Sequence, residues 1–216
     1  MSRDKAVNAT PGARNTGGPY LVYSAGGLFT QHELATNVMI KEAVWRLSGG
    51  KYELLLPQSR ELELLDRPDV DAYIRNEDLR WVVGADIILA RFDGVELDSG
   101  TVIEFAVAKS LGKPAVILRC DFRGLNGTGR TDPYNPLVKN WPRTVEVHLD
   151  SFVLWVELLA EDRQAAGGGD TFEGALEAEL GVLDRSADEV ARRVMGGLEA
   201  VLAMESPYPP EYQEKV

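Results

Sequence analysis

The 216-residue sequence has one cysteine, Cys120, and two histidines, His32 and His148. A single cysteine excludes an internal disulfide framework and fits a reducing, cytoplasmic setting. So few soft or imidazole ligands argue against a zinc site of the usual composition. No GxxxxGK[ST] stretch is present, which disfavours a P-loop kinase or ATPase. No apolar run approaches the length needed to cross a bilayer. The opening "MSRDKAVNATPGARNTGGP" lacks the apolar core of a secretory signal. Basic residues are also scarce, with 23 Lys and Arg against 34 Asp and Glu, for a formal charge of −11. Nucleic-acid polymers are bound by Lys and Arg displacing counterions, so DNA or RNA is not an expected partner. Neither a metal nor a cofactor is expected.

What is present is ordinary for a globular chain: 44% hydrophobic and 26% charged residues. The length suits one domain with a full core and an added segment. Residues 1–18, rich in Gly, Asn and Thr, carry no periodicity and read as a disordered tail. Runs of strand length then alternate with helical patterns. "YLVYSA" (20–25), "YELLLP" (52–57), "ADIILARF" (85–92), "PAVILRC" (114–120) and "RTVEVHL" (143–149) are the strand candidates. Unbroken apolar runs such as the third and fourth suggest strands buried on both faces. Helices are expected over 31–47, 69–83, 101–111 and 151–163. The alternation points to a doubly wound α/β sheet of about five parallel strands within residues 19–165. "QAAGGGD" (164–170) reads as a break. Beyond it, 171–184 and 187–204 read as two amphipathic helices in a C-terminal extension, residues 170–216. They serve as an appendage, as an oligomer contact, or as helices packed on their own domain.

In an open parallel sheet, ligands bind beyond the carboxyl ends of the strands. The segments there are "GGLFTQHE", "PQSRE", "DGVELDSGTVIE" and "DFRGLNGTGRTDPYNPLV", dense in acids, amides and glycines. Glu104 stands out because "VIEFAVA" is otherwise apolar, and a charge taken from water is costly unless it is used. Thr101 and Glu104 also fit the S/T-x-x-E spacing of a capping box, which needs no chemistry. Asp98 fits a turn or cap residue. Against those readings stands the clustering of Asp93, Asp98 and Glu104 at one strand end. Carboxylates held close push one pKa upward. A protonated acid beside an ionised one is the pair that glycosidic displacement through a covalent intermediate requires. Tyr23, late in the first strand, is either a core tyrosine or a ligand contact. Gly26 and Gly27 either turn the chain or allow close backbone approach. Asp78, Gln58 and Asn135 each have a plain reading as a solvated, helix-start or turn residue.

These residues also carry a family resemblance. "YSAGGLFT" from Tyr23, Asp78 in "IRNEDLRWVVGAD", and Asp93-Gly94, Asp98-Ser99-Gly100-Thr101, Glu104, Ala108 and Gly112-Lys113-Pro114 resemble the nucleoside 2-deoxyribosyltransferases. The likeness covers roughly residues 20–150, and its central stretch is the specific part. It implies a flavodoxin-like fold and transfer of 2-deoxyribose between purine or pyrimidine bases. It implies Glu104 as nucleophile and Tyr23 as the residue that orients it. Asp98 and Asp78 would bind the departing base and help protonate it. Gln58, Gly26, Gly27, Phe29 and Asp93 would contribute substrate contacts. Asn135 would reach a neighbouring subunit's sugar site, so a homodimer or larger homo-oligomer is implied. The expected partners are 2′-deoxynucleosides and free nucleobases.

Two departures from the family pattern stand out. Some members place a C-terminal carboxylate in the neighbour's site, whereas this chain runs on past the last core helix; Tyr208, Tyr212 or Val216 would have to take that place. The usual "NLM" is "NPL" here, and Pro136 removes a backbone donor. Two rival functions stay open on sequence alone. One is a deoxynucleoside 5′-monophosphate N-glycosidase, which needs groups that grip a phosphate. The other is a non-catalytic nucleotide-sensing module in which Glu104 caps a helix.

Overall fold

A computed structural model describes residues 17–59, 68–94, 96–121, 135–165 and 171–206. Most of the expected N-terminal tail, and Tyr208, Tyr212 and Val216, lie outside the described residues. The elements run β1 (Tyr20–Ala25), α1 (Gln31–Leu47), β2 (Tyr52–Leu55), α2 (Val70–Gly84), β3 (Ile87–Arg91), α3 (Ser99–Ser110), β4 (Ala115–Arg119), β5 (Thr144–His148), α4 (Ser151–Ala165) and α5 (Phe172–Ala203). All five strands are parallel, in the order β2-β1-β3-β4-β5. That is the flavodoxin-like order, with its reversal of direction between β1 and β3.

The apolar runs become strands for the reason expected of a sheet covered on both sides. β3 and β4 are buried almost throughout. Alternate side chains divide between two cores. Val22, Ile87, Leu89, Val116 and Leu118 face α1 and α5, meeting Ile40, Val44, Val194 and Leu198. Tyr23, Ile88, Ala90 and Ile117 face the other way, toward Val82 of α2 and Phe105 and Ala108 of α3. The odd-numbered register of β1 thus sends Tyr23 to the side where α3 lies.

Local signals set the helix ends. Thr30 caps α1 in a capping box with Glu33. Asp98 caps α3, its side chain accepting the Thr101 N–H. The C-terminal extension is one helix and not the expected two. "LDRSADE" reads locally as a stop, yet it holds no proline, and Arg185 ties it down by donating to the Leu158 carbonyl at 2.8 Å and pairing with Asp162 at 2.6 Å. This helix packs on its own domain, with Val190, Val194, Leu198 and Val201 buried. The α3 helix, expected to be buried all round, shows one face to solvent: Ile103 is 58% exposed.

Candidate active site

Glu104 lies in the second turn of α3, on the face turned to the sheet, and Tyr23 rises from β1 beneath it. The Tyr23 hydroxyl donates to Glu104 Oε1 at 2.6 Å. Tyr23 is fully buried, while Glu104 is half-buried and faces the cavity, so the bond lies at the border of core and site. The capping-box reading of Thr101 and Glu104 is excluded by the geometry. The cap is Asp98, whose Oδ2 accepts from Thr101 N at 2.7 Å and from Thr101 Oγ1 at 2.8 Å. Thr101 is inside the helix, and Glu104 is too far along it to reach the cap.

A cavity of about 270 Å³ opens in front of Glu104. Gly26, Leu28 and Phe29 line it from the β1–α1 loop, and Pro57 from the turn after β2. Tyr73, Ile74, Glu77, Asp78 and Trp81 line it from α2, and Asp98, Gly100, Thr101 and Glu104 from α3. It is at the small end of ligand sites, about 300–1,000 Å³ in general. Its walls are mainly apolar and aromatic, and its ionisable lining is entirely acidic. A second cavity of about 330 Å³ adjoins it, sharing Phe29 and Asp98, with Gly27, His32, Glu33, Thr36, Arg91, Asp93, Gly94 and Glu96. The larger one does not contain Glu104.

Burial pushes the Glu104 carboxyl up to about 7; the Tyr23 hydroxyl pulls it down, and the charges of Asp78 and Asp98 push it up again. The Tyr23 phenol is driven far upward, by burial first and then by Glu104 and Asp78. It therefore stays a proton donor to Glu104 across the working pH range. The sequence led us to expect the raised acid to be Asp98, with Glu104 ionised. The structure raises Glu104 itself. Asp93 is raised as well, by burial first, so two of the three clustered acids, Glu104 and Asp93, carry an upward shift.

The structure brings Tyr23, Asp78, Asp98, Glu104, Gly26 and Phe29 together and separates the rest. Asp93 does not share the crevice with Glu104. It lines the second cavity, accepts the Cys120 N–H through Oδ1 at 2.6 Å and sits 3.5 Å from Arg91 Nε. Gly27 also faces that cavity, and a Cβ there would lie 2.2 Å from Glu33 Oε1, so the Glu33 carboxylate would have to move to admit a side chain. Gln58 braces the loop: its Oε1 accepts from Asn37 Nδ2 at 2.7 Å and its Nε2 donates to the Leu34 carbonyl at 3.1 Å. It lines neither cavity. Asn135 caps a 3₁₀ turn, accepting the Leu137 N–H at 3.0 Å, and is likewise absent from both linings.

Sequence reasoning missed Trp81, Tyr73 and Glu77. The signal was available, since residues 74, 77, 78 and 81 share one face of a helix by the three-and-four spacing, and Asp78 had been singled out. Arg91, at the end of β3, was also missed; its Nη2 donates to the Gly27 carbonyl at 3.2 Å. Among the described residues, no group of three or more His, Cys, Asp or Glu is arranged to hold a metal ion. No described helix is long and apolar enough to cross a membrane.

A solved structure of a conserved protein from Enterococcus faecalis V583 is 25% identical, covering 59% of this chain and 91% of that one, with a TM-score of 0.46. A 2-deoxyribosyltransferase from Bacillus psychrosaccharolyticus is 20% identical, covering 60% of this chain and 85% of that one, also with a TM-score of 0.46. No curated protein matches significantly. The family model described as nucleoside 2-deoxyribosyltransferase matches residues 22–163, a span that runs from β1 into α4 and includes every acid lining the cavity. With well over half of its length so matched, the chain belongs to the nucleoside 2-deoxyribosyltransferase family.

Proposed function

We propose that the protein transfers 2-deoxyribose between nucleobases by a two-step displacement at Glu104. The observation that carries this reading is the Tyr23–Glu104 hydrogen bond at the floor of an acid-lined, aromatic-walled cavity. The ionised form of Glu104 attacks C1′ as the bond to the base breaks, and the base departs with a proton. An ester between Glu104 and the sugar remains, and a second base reverses the steps. The transition state has oxocarbenium character, which Glu104 and the neighbouring Asp78 favour electrostatically. Water entering in place of the second base gives slow hydrolysis.

Asp98 is the candidate proton donor to the base. Its Oδ2 is held by Thr101, which leaves Oδ1 for the ligand. Asp78, on α2 beside Trp81, is the candidate base contact, with Trp81 and Tyr73 as apolar walls. A 2′-hydroxyl would withdraw electrons and destabilise the cationic transition state, so 2′-deoxynucleosides are the natural substrates. Asn135, which lines neither cavity of its own chain, suits a contact with a neighbouring copy, and the assembly is then at least a dimer.

The 5′-monophosphate hydrolase reading gains little support. Among the described residues, Arg91 is the one Lys or Arg that lines either cavity, but Glu33, Asp93, Glu96 and Asp98 line the same cavity and Asp93 pairs with it. A phosphate entering there would meet more negative charge than positive. The test is base exchange between deoxyadenosine and a second free base. The wild type exchanges, and Glu104→Ala loses several orders of magnitude with its fold intact. Absence of exchange by the wild type, or full activity in Glu104→Ala, refutes the assignment.

A further inference from the structure

Arg119 is a cation with only 3% of its surface exposed, at the last position of β4, away from the reactive cavity. A buried charge is costly unless its donors are used. Here they converge on one turn. Nη1 donates to the Phe92 carbonyl at 2.6 Å, and Nη2 donates to the Gly94 carbonyl at 2.9 Å. The same Nη2 lies 3.4 Å from Asp121 Oδ2, and that oxygen accepts the Gly94 N–H at 2.6 Å. Both polar groups of Gly94 are therefore held by one ion pair. Gly94 has a φ of 99°, a conformation open to glycine and strained for other residues. The turn it makes redirects the chain from the end of β3 toward Asp98, the cap of α3.

We propose that Arg119 and Asp121 are positioning residues for the reaction at Glu104: the pair fixes the Asp93–Gly94 turn, and through it the placement of Asp98 and the start of α3. This inference rests on the transferase reading for its chemistry and on the geometry alone for its structural part. The remaining walls of the cavity come from other elements, α2 and the β1–α1 loop. Loosening it should therefore misalign the acids while leaving most of the substrate's contacts in place. The planar fork of arginine is what spans two carbonyls; a lysine supplies the charge without the span.

The test uses the full chain and the variants R119M, R119K and D121N. Steady-state base exchange is measured together with thermal melting. In parallel, Glu104 is titrated by carboxyl carbon NMR, its signal identified by loss in E104Q. The clamp predicts kcat lowered about tenfold to hundredfold in R119M and D121N, as misplacement by about an ångström does in general, with KM within about threefold. R119K behaves like R119M and not like the wild type. The Glu104 midpoint moves down from about 7 as the loosened turn admits water. Variants that melt earlier but keep the wild-type kcat overturn the proposal, because the pair is then only a structural brace. Should R119M fail to fold, R119K and D121N carry the same comparison. Should the wild type show no exchange at all, the transferase reading fails and the titration decides: a shifted midpoint in the variants supports the clamp, and an unshifted one overturns it.

Discussion

Replacing Tyr23 by phenylalanine removes one hydroxyl and little else, because the ring is fully buried between β1 and α3. The lost hydrogen bond, 2.6 Å to Glu104 Oε1, stabilises the ionised carboxylate more than the neutral acid. Hydrogen bonds to charged groups contribute about 1.5–3 kcal/mol. At about 1.4 kcal/mol for each tenfold change, the Glu104 midpoint rises by about one to two pH units from its position near 7. At neutral pH roughly half of the wild-type Glu104 is ionised; in Tyr23→Phe the fraction falls to about 1–10%. The pH profile of kcat/KM for base exchange is the assay. Wild-type activity rises with pH through about 7. The variant is weaker by about five- to fiftyfold at pH 7 and recovers most of the loss above pH 9. A loss of equal size at every pH, with the midpoint unmoved, refutes the assigned role of the hydroxyl.

Glu104→Gln should stabilise the fold at alkaline pH, because the folded carboxyl titrates near 7 against 4.5 for the unshifted group. Glu104's contribution is fully present below about 4.5 and is lost as pH rises through 7, so the gain in the variant grows to about 3 kcal/mol at pH 8 and vanishes at pH 4 in urea unfolding. Asp98→Asn keeps a side chain able to cap α3 but removes the acid. Its kcat should fall by about 10²-fold or more for poor leaving bases and less for good ones, with melting little changed. Lys109→Met should cost at least about 2 kcal/mol in the same unfolding assay. The Lys109 ammonium, 2% exposed, donates to the carbonyls of Lys113 at 2.6 Å and Pro142 at 2.8 Å; the variant removes both bonds and leaves Pro142 only the 3.3 Å bond from Thr144 Oγ1.

The sheet was readable because its strands are long apolar runs. β3 and β4 need no tertiary knowledge beyond the rule that such runs are covered on both sides. The flavodoxin-like strand order was an expectation of the family resemblance, and Glu104 was readable as an acid in an apolar run. What resisted reading was long-range. The continuity of α5 depends on Arg185 reaching α4, a contact with no local signature. Asp93 and Asp98 are five residues apart in sequence, yet the Gly94 turn sends the first to the neighbouring cavity. Gln58 follows a strand end, as a ligand contact would, but Asn37 and the Leu34 carbonyl take its amide. Which of the clustered carboxylates are raised depends on burial, which their places in the sequence do not reveal.

Intact-mass spectrometry of the protein mixed with a 2′-deoxynucleoside tests the central claim most directly. The account predicts a species heavier by one deoxyribosyl unit, carried on the peptide containing Glu104, absent in Glu104→Ala and discharged when a second base is added. An adduct that persists in Glu104→Ala, or exchange that proceeds with no adduct at any time point, would contradict it.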